Sequence, residues 1–509
     1  MTKLMPNELQ LTPLLAPFIP TGGEPHVRDL ALRIRVFTEA FNAWESLHLH
    51  LSPASLAFKT DITRTLRAAD LTPRQLREAI RNYDAFRAYI NGFARRLFPY
   101  LVDWSSDLMT LHASFYQGGR GIVFTAGDAQ VPFLMTSIPS LRSLGCGLPI
   151  EVMFLGDADL SSQSRSILEA LDGVITRDMS HMIDDTDWAL RGWAAKPFAI
   201  LLSSFREAIF IDADALSFVN LEILFTDEQY LGTGALFFKD RNTMPGSKRS
   251  WLTEILPQPV SHLVEENRMW TGESTHMQDS GVVVVDKWKH FLPLLLTTRL
   301  NGPDRDGDEE KGKKGVYQMV FGDKETFWLS WELTGNHDYA FYDGEAGTMG
   351  ILSKTPELPQ QSSVSTNEQE PLAKGLSTLS KDPASTLAIE SSVASRRQKL
   401  LNRRNTPCIC SQQLVHFDRA GQPLWFNGWL ATQKLDDETE VEFRDFEYYA
   451  REMKGRRRRG ERDPYSVHPR NVVCMQTTQT FAFTDEEQAT LKMMRDFAKV
   501  AIAKRDGLE

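Results

Sequence analysis

The sequence predicts an α/β/α sandwich on a mostly parallel sheet, with a helical N-terminal extension and a disordered insertion. Helical periodicity dominates residues 1–115, whereas residues 116–350 alternate short apolar segments with helix-like stretches. Residues 351–401 are rich in Ser, Thr, Pro, Gln and Glu, a composition typical of disorder. Apolar segments return over residues 402–509, and we expect this part to complete the site of the core.

The N-terminal extension contains one amphipathic helix with clear start signals. Thr72 is a suitable N-cap, and Pro73 suits the first helical turn. Apolar residues then recur at spacings of three and four, with arginines on the other face: Leu76, Ile80, Tyr83, Phe86, Ile90, Phe93 and Leu97. This stripe predicts a helix that packs against the main body of the protein.

The core begins with a predicted strand over residues 122–124, which leads into a turn at Gly127 and then a helix. We predict further strands at residues 151–155, 174–175, 208–211, 235–238 and 282–285. Ligands of such open α/β sheets bind beyond the carboxyl ends of the strands. Thr484 and Glu487 form a capping-box pattern that predicts a last helix at the end of the chain.

Two carboxylates follow the strand at residues 208–211. Asp212 and Asp214 are one residue apart, so both side chains would leave an extended strand on the same face. Two such carboxylates can share one divalent cation, which can neutralise a diphosphate. The pair therefore indicates a site for a nucleotide-sugar and favours a glycosyltransferase.

The Asp-x-Asp spacing recurs elsewhere in the chain, so the residues around each pair must indicate which pair binds a cation. Acidic loops account for most of the repeats, at residues 184–187 and 304–308. The second loop lacks the glycine and glutamate that a calcium loop requires. Asp157 and Asp159 follow a strand, but Gly156 separates them from it. Of these pairs, only Asp212 and Asp214 continue directly from a predicted buried strand.

Composition argues against several protein classes. A net charge of -10 gives no overall nucleic-acid signature, and we interpret the basic run at residues 456–459 as a solvated loop. Cys408 and Cys410 lack the spacer and the second pair of a zinc site. We expect the cysteines to be packing residues or to form at most one or two bridges.

Four short motifs carry a resemblance to a known family. In chain order they are GWAAKPFA at residues 192–199, IFIDAD at 209–214, QDSGV at 278–282 and GDKETF at 322–327. Their order and spacing resemble the core of fungal α-1,3-mannosyltransferases of the mannan-building type. The resemblance spans roughly residues 118–342 and resumes near Leu414. It implies a GT-A nucleotide-sugar-binding fold and retaining transfer from GDP-mannose with a divalent cation, usually Mn²⁺.

The resemblance also assigns roles to residues. Asp212 and Asp214 would hold the metal and the donor diphosphate. Lys196, at the start of a helix that faces the same strand ends, would neutralise phosphate or orient the donor. The edge of the nucleotide-base pocket would lie at the end of the first core strand, at Thr125, Ala126 and Gly127.

A more distant likeness to glycogenin-type retaining enzymes implies a third metal ligand. Those enzymes carry a late histidine followed by glycine, lysine, proline and tryptophan, and this chain has His416 before Gly421, Pro423 and Trp425. Neutral imidazole is suited to complete two carboxylates around manganese. The spacing to the glycine is longer here and no lysine precedes the proline, so phosphate contact by this segment stays open.

The same comparison implies contacts with the donor sugar. Asp279, Ser280 and Gly281 align with an Asn-Ser-Gly that contacts the sugar, and Asp323 belongs to a Gly-Asp that contacts donor hydroxyls. Asp279 replaces an amide, and it would accept hydrogen bonds from mannose or sit behind the anomeric carbon. We take Asp279 and Asp323 as the catalytic candidates, and leave open a covalent intermediate or same-face attack.

Several alternatives remain at this point. UDP-glucose or UDP-galactose would suit the same base pocket, and a non-catalytic binding protein would keep the same fold. A phosphotransferase would want Thr or Ser shortly after the second aspartate, whereas Asp214 is followed by Ala215 and Leu216. Trp270 is the predicted stacking residue for an acceptor sugar.

Family members are anchored in the Golgi membrane, so the resemblance implies that location, a membrane association and a glycan acceptor as partner. The sequence shows no transmembrane segment: the apolar stretch at residues 9–20 contains three prolines and is too short to span a bilayer. By itself this observation argues against a secretory location.

Overall fold

The computed structural model describes residues 4–52, 55–58, 62–101, 107–353, 407–431, 441–452, 464–468 and 472–506. The insertion predicted at residues 351–401 lies, apart from residues 351–353, outside the described residues. The basic run at residues 456–459 also lies outside them.

The N-terminal part is helical, with one small hairpin. Its elements are α1 (Glu8–Leu15), α2 (Gly23–His48), β1 (Leu49–Ser52), β2 (Ser55–Phe58), α3 (Ile62–Ala68), α4 (Pro73–Leu97) and α5 (Leu108–Ser114). Helix α4 starts at the predicted cap, where Thr72 and Gln75 exchange hydrogen bonds as a capping box. Phe86, Ile90 and Phe93 of its apolar stripe are buried in the main hydrophobic core, as predicted.

Strands and helices alternate through the middle of the chain. The strands are β3 (Arg120–Thr125), β4 (Ile150–Phe154), β5 (Val174–Asp178), β6 (Glu207–Ile211), β7 (Ala215–Ser217), β8 (Ala235–Lys239), β9 (Gln278–Asp286), β10 (Ala340–Phe341), β11 (Ala346–Gly350) and β12 (Leu352–Ser353). The helices are α6 (Val131–Ser143), α7 (Ser162–Glu169), α8 (Ala195–Leu202), α9 (Glu228–Thr233), α10 (Arg249–Ile255), α11 (His262–Glu266), α12 (Arg268–Thr271), α13 (Phe291–Asn301) and α14 (Thr326–Thr334).

Seven strands form the central sheet, in the order β10-β8-β9-β6-β3-β4-β5. All neighbours in this sheet are parallel except β9, which runs antiparallel to both β6 and β8. Because β8 and β9 are consecutive and antiparallel, the segment between them stays at the end of the sheet where β8 finishes and β9 begins. Strand β9 therefore starts beside the end of β6, where the acidic pair follows.

Both faces of the central sheet are covered, which confirms the predicted sandwich. Ala208 and Phe210 of β6 belong to one buried hydrophobic cluster, and Ile209 and Ile211 belong to another. This alternation follows from the two-residue period of a strand. Burial on both faces explains why these strands read as continuous apolar runs in the sequence.

In its described residues, the C-terminal part adds two antiparallel sheets. Its elements are β13 (Cys408–Ser411), β14 (Leu414–Phe417), β15 (Pro423–Asn427), β16 (Tyr448–Arg451), β17 (Tyr465–Val467), β18 (Val473–Gln476), β19 (Thr480–Ala482) and α15 (Asp485–Asp506). A six-stranded sheet has the order β19-β16-β11-β14-β15-β7, and a four-stranded sheet has the order β12-β13-β18-β17. Strand β7 directly follows the acidic pair, so the chain passes there from the central sheet to the six-stranded one.

The cysteines form one bridge, within the number expected. Cys410 on β13 and Cys474 on β18 are disulfide-bonded, while Cys146 and Cys408 are free and buried. The predicted capping box of the last helix is present, because Thr484 and Glu487 exchange hydrogen bonds at the start of α15. Among the described helices, none is both long and apolar enough to cross a membrane.

Candidate active site

The acidic pair lies at the carboxyl end of β6, inside a cavity of about 960 Å³. The backbone N–H of Asp212 donates to the carbonyl of Gly281 at 2.8 Å, which ties the pair to β9. The strand ends before Asp212, and Asp214 belongs to a turn, so the strand-based reason for a common face does not apply. The change of sheet forces this turn, and both side chains still line the cavity.

Lys196 joins three segments of the site. Its Nζ lies 2.8 and 2.9 Å from the two carboxylate oxygens of Asp212, 3.2 Å from Ser280 Oγ and 3.5 Å from Asp323 Oδ2. The first turn of α8 places this lysine, and its side chain is buried. Burial lowers the pKa of Lys196, but the carboxylates of Asp212 and Asp323 outweigh burial and raise it, so the ammonium stays charged.

The environment of Asp212 carries an excess of negative charge. Burial raises the pKa of Asp212 above its usual range; Lys196 opposes this rise, whereas Asp214 and Asp323 add to it. One ammonium group thus faces three carboxylates at this end of β6. A bound cation would relieve their mutual repulsion.

Asp279, on β9, belongs to a second charged group in the same cavity. Its Oδ2 lies 2.9 Å from His416 Nε2, and its Oδ1 lies 3.4 Å from Lys324 Nζ. Lys324 also binds Asp240, at 2.6 Å. Burial alone would raise the pKa of Asp279, but Lys324 and His416 hold it well below its usual range. Asp279 is therefore an ionised, fully buried acceptor.

His416 occupies β14 of the six-stranded sheet and is packed from one side by Trp425. The two rings are stacked, with centroids 4.0 Å apart. In the part of the chain that the structure describes, no choice of one ligand atom from each of Asp212, Asp214 and His416 places all three atoms within 4.8 Å of one another. Asp279 engages one of the two ring nitrogens. The role of His416 as a metal ligand stays a prediction.

The predicted edge of the nucleotide pocket lies in the same cavity, which is lined by Thr125, Ala126 and Gly127 at the end of β3. A Cβ at Gly127 would lie 2.5 Å from Asp159 Oδ1 and 2.8 Å from the Asp159 carbonyl oxygen. Only glycine fits this close approach. Asp159 also accepts a hydrogen bond from the backbone of Leu155, so it supports the pocket wall.

Gly281, predicted to contact the donor sugar, lies where the two sheets meet. A Cβ there would lie 2.8 Å from Asn427 Nδ2 and 3.0 Å from the ring of Trp425. Ser280, its neighbour, accepts from Lys196 as described above. The predicted Asp279-Ser280-Gly281 segment is thus brought beside Asp212, and its sugar contacts stay a prediction.

Sequence reasoning missed several residues of the cavity. Asp240 directly follows β8 as Asp212 follows β6, and this position at a strand end was the signal that could have found it. Other lining residues that sequence reasoning did not single out include Trp193 and Lys324, which lie inside two of the quoted motifs, and Arg241, His276, Phe321 and Asn427, which lie outside them. Trp270, predicted to stack on an acceptor, lies under the guanidinium of Arg249 at 4.6 Å and is not a lining residue of the cavity.

The donor set fits a hard or borderline divalent cation. Carboxylate oxygens suit Mg²⁺ and Mn²⁺, and an added imidazole suits Mn²⁺. Asp212 and Asp214 line the cavity together, and carboxylates outnumber ammonium groups around them. The chemistry of Asp212 and Asp214 thus fits such a cation.

An acidic pair after a strand and a buried lysine, which line the same cavity, define an α/β protein with a candidate ligand site at the carboxyl edge of its central sheet. A family model described as "Mannosyltransferase putative" matches residues 119–418, more than half of the chain. The protein belongs to this mannosyltransferase family.

Curated relatives are similar over the same region. Alpha-1,3-mannosyltransferase MNT2 of Saccharomyces cerevisiae is 26% identical over 354 residues, which cover 63% of this chain and 53% of the relative. Alpha-1,3-mannosyltransferase MNN1 of the same yeast is 26% identical over 288 residues, covering 47% and 36%. The chain spans about half or less of the length of these relatives.

Solved structures also show similarity. Mannosyltransferase Ktr4p from S. cerevisiae matches with a TM-score of 0.30 and 11% identity, covering 56% of this chain and 84% of that one. The Mn/GDP form of core-mannan synthase A from Aspergillus fumigatus matches with a TM-score of 0.28 and 11% identity, covering 44% and 73%.

Proposed function

We propose that this protein transfers mannose from GDP-mannose to a mannosyl glycan in α-1,3 linkage, with retention of configuration and with Mn²⁺ or another divalent cation. Family membership supports the sugar and the reaction class. The observation that carries the proposal is the position of Asp212 and Asp214, which follow β6 and line the same cavity as Lys196, Asp279 and Asp323.

Asp212 and Asp214 would hold the cation. The cation would supply positive charge that stabilises the departing nucleoside diphosphate. His416 is the candidate third ligand, since Asp279 engages only one of its ring nitrogens. Lys196 holds Asp212 at the end of β6 and adds a fixed positive charge beside the diphosphate position.

The buried carboxylates give the site its sugar recognition. Asp279 and Asp323 are buried, and each is held by a lysine. A fixed acceptor in a buried site selects ligands that offer a matching hydroxyl, because an unmatched partner leaves a buried polar group unpaired. We assign Asp279 and Asp323 to hydroxyls of the donor mannose.

The nucleotide base would rest against Thr125, Ala126 and Gly127. These residues offer backbone and short side chains, which give little discrimination between guanine and uracil. A UDP-hexose is therefore the main competing donor. For location we propose the Golgi on the family resemblance alone, and co-localisation of the tagged protein with a Golgi marker tests it.

The decisive experiment is donor turnover. Purified protein is given GDP-mannose, UDP-glucose or UDP-galactose with a mannobiose acceptor, with Mn²⁺ or with chelator, and nucleotide release is followed. We expect Mn²⁺-dependent release of GDP, reduced about 100- to 1,000-fold in Asp212→Ala/Asp214→Ala, by analogy with loss of an oxyanion donor. Asp157→Ala is the matched control, because Asp157 belongs to a rival Asp-x-Asp repeat and is solvent-exposed.

Each other outcome has a definite meaning. Nucleotide release from a UDP-sugar alone would support the active site but overturn the assignment of mannose as the transferred sugar. Turnover that is equal with Mn²⁺ and with chelator would overturn the proposed metal dependence. A folded protein that binds a donor without turning it over would be a non-catalytic member of the family.

A further inference from the structure

Two large aromatic side chains lie exposed on the wall of the active-site cavity. Trp193 is 61% exposed and Phe321 is 58% exposed. Of the large apolar side chains that are exposed in the described part of the chain, those lining the cavity are Trp193, Met244, Phe321 and Val467. Binding sites for small ligands use such aromatic walls, whereas scattered surface apolar residues need no explanation.

Both aromatic residues belong to segments that carry the charged centre. Trp193 lies in the 3-10 turn Gly192–Ala194, three residues before Lys196. Phe321 comes two residues before Asp323, which pairs with that lysine. A ligand held by the two rings would therefore lie next to the charged groups of the site.

Gly322 brings the two aromatic segments together. It adopts φ +61°, and a Cβ there would lie 3.3 Å from Cε3 of Trp193. Glycine adopts this left-handed backbone conformation without strain, and its lack of a Cβ lets the indole approach closely. The indole thus packs on the backbone between Phe321 and Asp323.

A second wall extends the aromatic surface towards β8. His276 meets Phe321 edge-on, with ring centroids 5.7 Å apart, and its Nε2 lies 3.3 Å from Met244 Sδ. In the central sheet, β8 and β9 lie on one side of β6, and β3 lies on the other. The cavity therefore extends from the predicted base pocket at β3, past Asp212, to this aromatic end.

We propose that Trp193 and Phe321 form a stacking platform for a pyranose ring of the acceptor glycan. The apolar C–H face of a sugar packs on aromatic rings, and its hydroxyls reach polar groups at the rim, here Asp240, Arg241 and Thr243. The inference rests on the proposed function, because it assumes a glycosyl donor at Asp279 and Asp323.

The proposed donor and acceptor regions differ in their burial. The donor sugar must reach Asp279 and Asp323, which are buried. The aromatic pair faces solvent, which is the side from which a second substrate arrives. An acceptor stacked there would present its hydroxyl towards the buried carboxylates.

Kinetics of single and double variants test the platform. We expect Trp193→Ala and Phe321→Ala each to raise the KM for a mannobiose acceptor about tenfold, the size expected when an aromatic contact is lost. The KM for GDP-mannose stays within about twofold, because the rings do not contact the donor in this arrangement. Trp193→Phe retains a ring and is expected to restore most of the acceptor affinity.

Phe58→Ala is the matched control. Phe58 is an exposed aromatic residue of β2, 45% exposed and outside the cavity lining, so its loss is expected to change neither KM. Thermal unfolding of every variant checks that the fold is retained. Unchanged acceptor KM in the folded double variant would overturn the platform, and a rise confined to the donor KM would assign the rings to the donor.

Acceptor binding without donor separates this inference from the proposed function. Mannobiose is titrated while saturation transfer to the sugar is followed by NMR, in wild type and in the double variant. Binding that the double variant loses would support the platform even if no donor is turned over. Binding that the double variant keeps would overturn it, whatever the donor experiment shows.

Discussion

His416 Nε2 lies 2.9 Å from Asp279 Oδ2, and this contact joins the two main sheets across the candidate active site. Asp279 is on β9 of the central sheet, and His416 is on β14 of the six-stranded sheet. Both side chains are buried. A hydrogen bond to a buried carboxylate is therefore among the contacts by which the C-terminal part of the chain reaches the predicted donor-sugar site.

His416 substitutions separate a structural from a metal-binding role. His416→Ala removes a hydrogen bond to a buried charged group and is expected to lower the free energy of unfolding by about 1.5–3 kcal/mol. His416→Gln can still donate to Asp279, so we expect it to recover part of this loss. Chemical denaturation gives the stability, and calorimetry gives the Mn²⁺ affinity. Wild-type Mn²⁺ affinity in the glutamine variant would exclude His416 as a ligand.

Lys196→Met leaves Asp212 and Asp323 buried without their shared ammonium. Breaking a buried ion pair from one side costs about 3–5 kcal/mol, so the melting temperature is expected to fall. Mn²⁺ should raise the melting temperature of this variant, because a cation that binds the folded state stabilises it by mass action. Thermal unfolding with Mn²⁺ and with chelator measures both effects. A variant as stable as wild type would contradict the role of Lys196 as the link between these segments.

Glu452 holds the loop that carries Asp240. Its carboxylate lies 3.1 Å from Arg268 Nη2 and accepts from the backbone N–H of Asn242 at 2.5 Å. Arg268 also donates to the Asp240 carbonyl at 2.6 Å. We expect Glu452→Ala to lower kcat/KM about tenfold or more through a misplaced loop, and stability by about 3–5 kcal/mol. The exposed Glu254 provides the control, Glu254→Ala, which should leave both quantities unchanged.

Gly281→Ala tests the close contact between the sheets. Its Cβ would meet Asn427 and Trp425 at 2.8 and 3.0 Å, so we expect a loss of about 1–3 kcal/mol from overpacking. Gly92→Ala is the matched control, since Gly92 lies inside α4 and an added Cβ would meet no atom within 4 Å apart from its chain neighbours and its own helix backbone. The control should gain about 0.5–1 kcal/mol from helix propensity. Equal stability changes in the two variants would contradict the contact.

His290 gives the fold a defined pH dependence. Its Nε2 donates to the Thr233 carbonyl and its Nδ1 accepts from Trp331 Nε1, which fixes the neutral ring. Burial lowers the pKa of His290 to about 4. The unfolded chain binds the proton more readily, so the stability contribution is complete above about pH 6.5 and is lost as pH falls towards 4. The loss amounts to about 3 kcal/mol.

Urea unfolding between pH 4 and 7 measures this contribution. Stability is expected to fall more steeply with decreasing pH in wild type than in His290→Gln, by up to about 1.4 kcal/mol per pH unit. The glutamine variant is expected to be less stable at every pH, but the slope of stability against pH is the quantity that tests the prediction. Parallel slopes would show that the ring titrates alike in the folded and unfolded chains.

Local sequence patterns were sufficient for much of the fold. The cap at Thr72 and the apolar stripe after it predicted α4, and short apolar runs predicted the buried strands. These features depend on neighbouring residues alone, because caps and periodicity are set within one or two turns of chain. The position of Asp212 after a buried strand is a local feature of the same kind.

Strand order decided the rest. The sequence by itself pointed to Asp212 and Asp214 as candidates for binding a cation, and the family resemblance that it carries pointed to Asp279 and Asp323 as candidates for sugar contacts. Only the tertiary structure paired His416 with Asp279, brought Lys324 between Asp240 and Asp279, and placed the rings of Trp193 and Phe321 on the cavity wall. Those contacts join segments far apart in the chain, and their geometry follows from antiparallel β9 and from the change of sheet after Asp214, which no local pattern encodes.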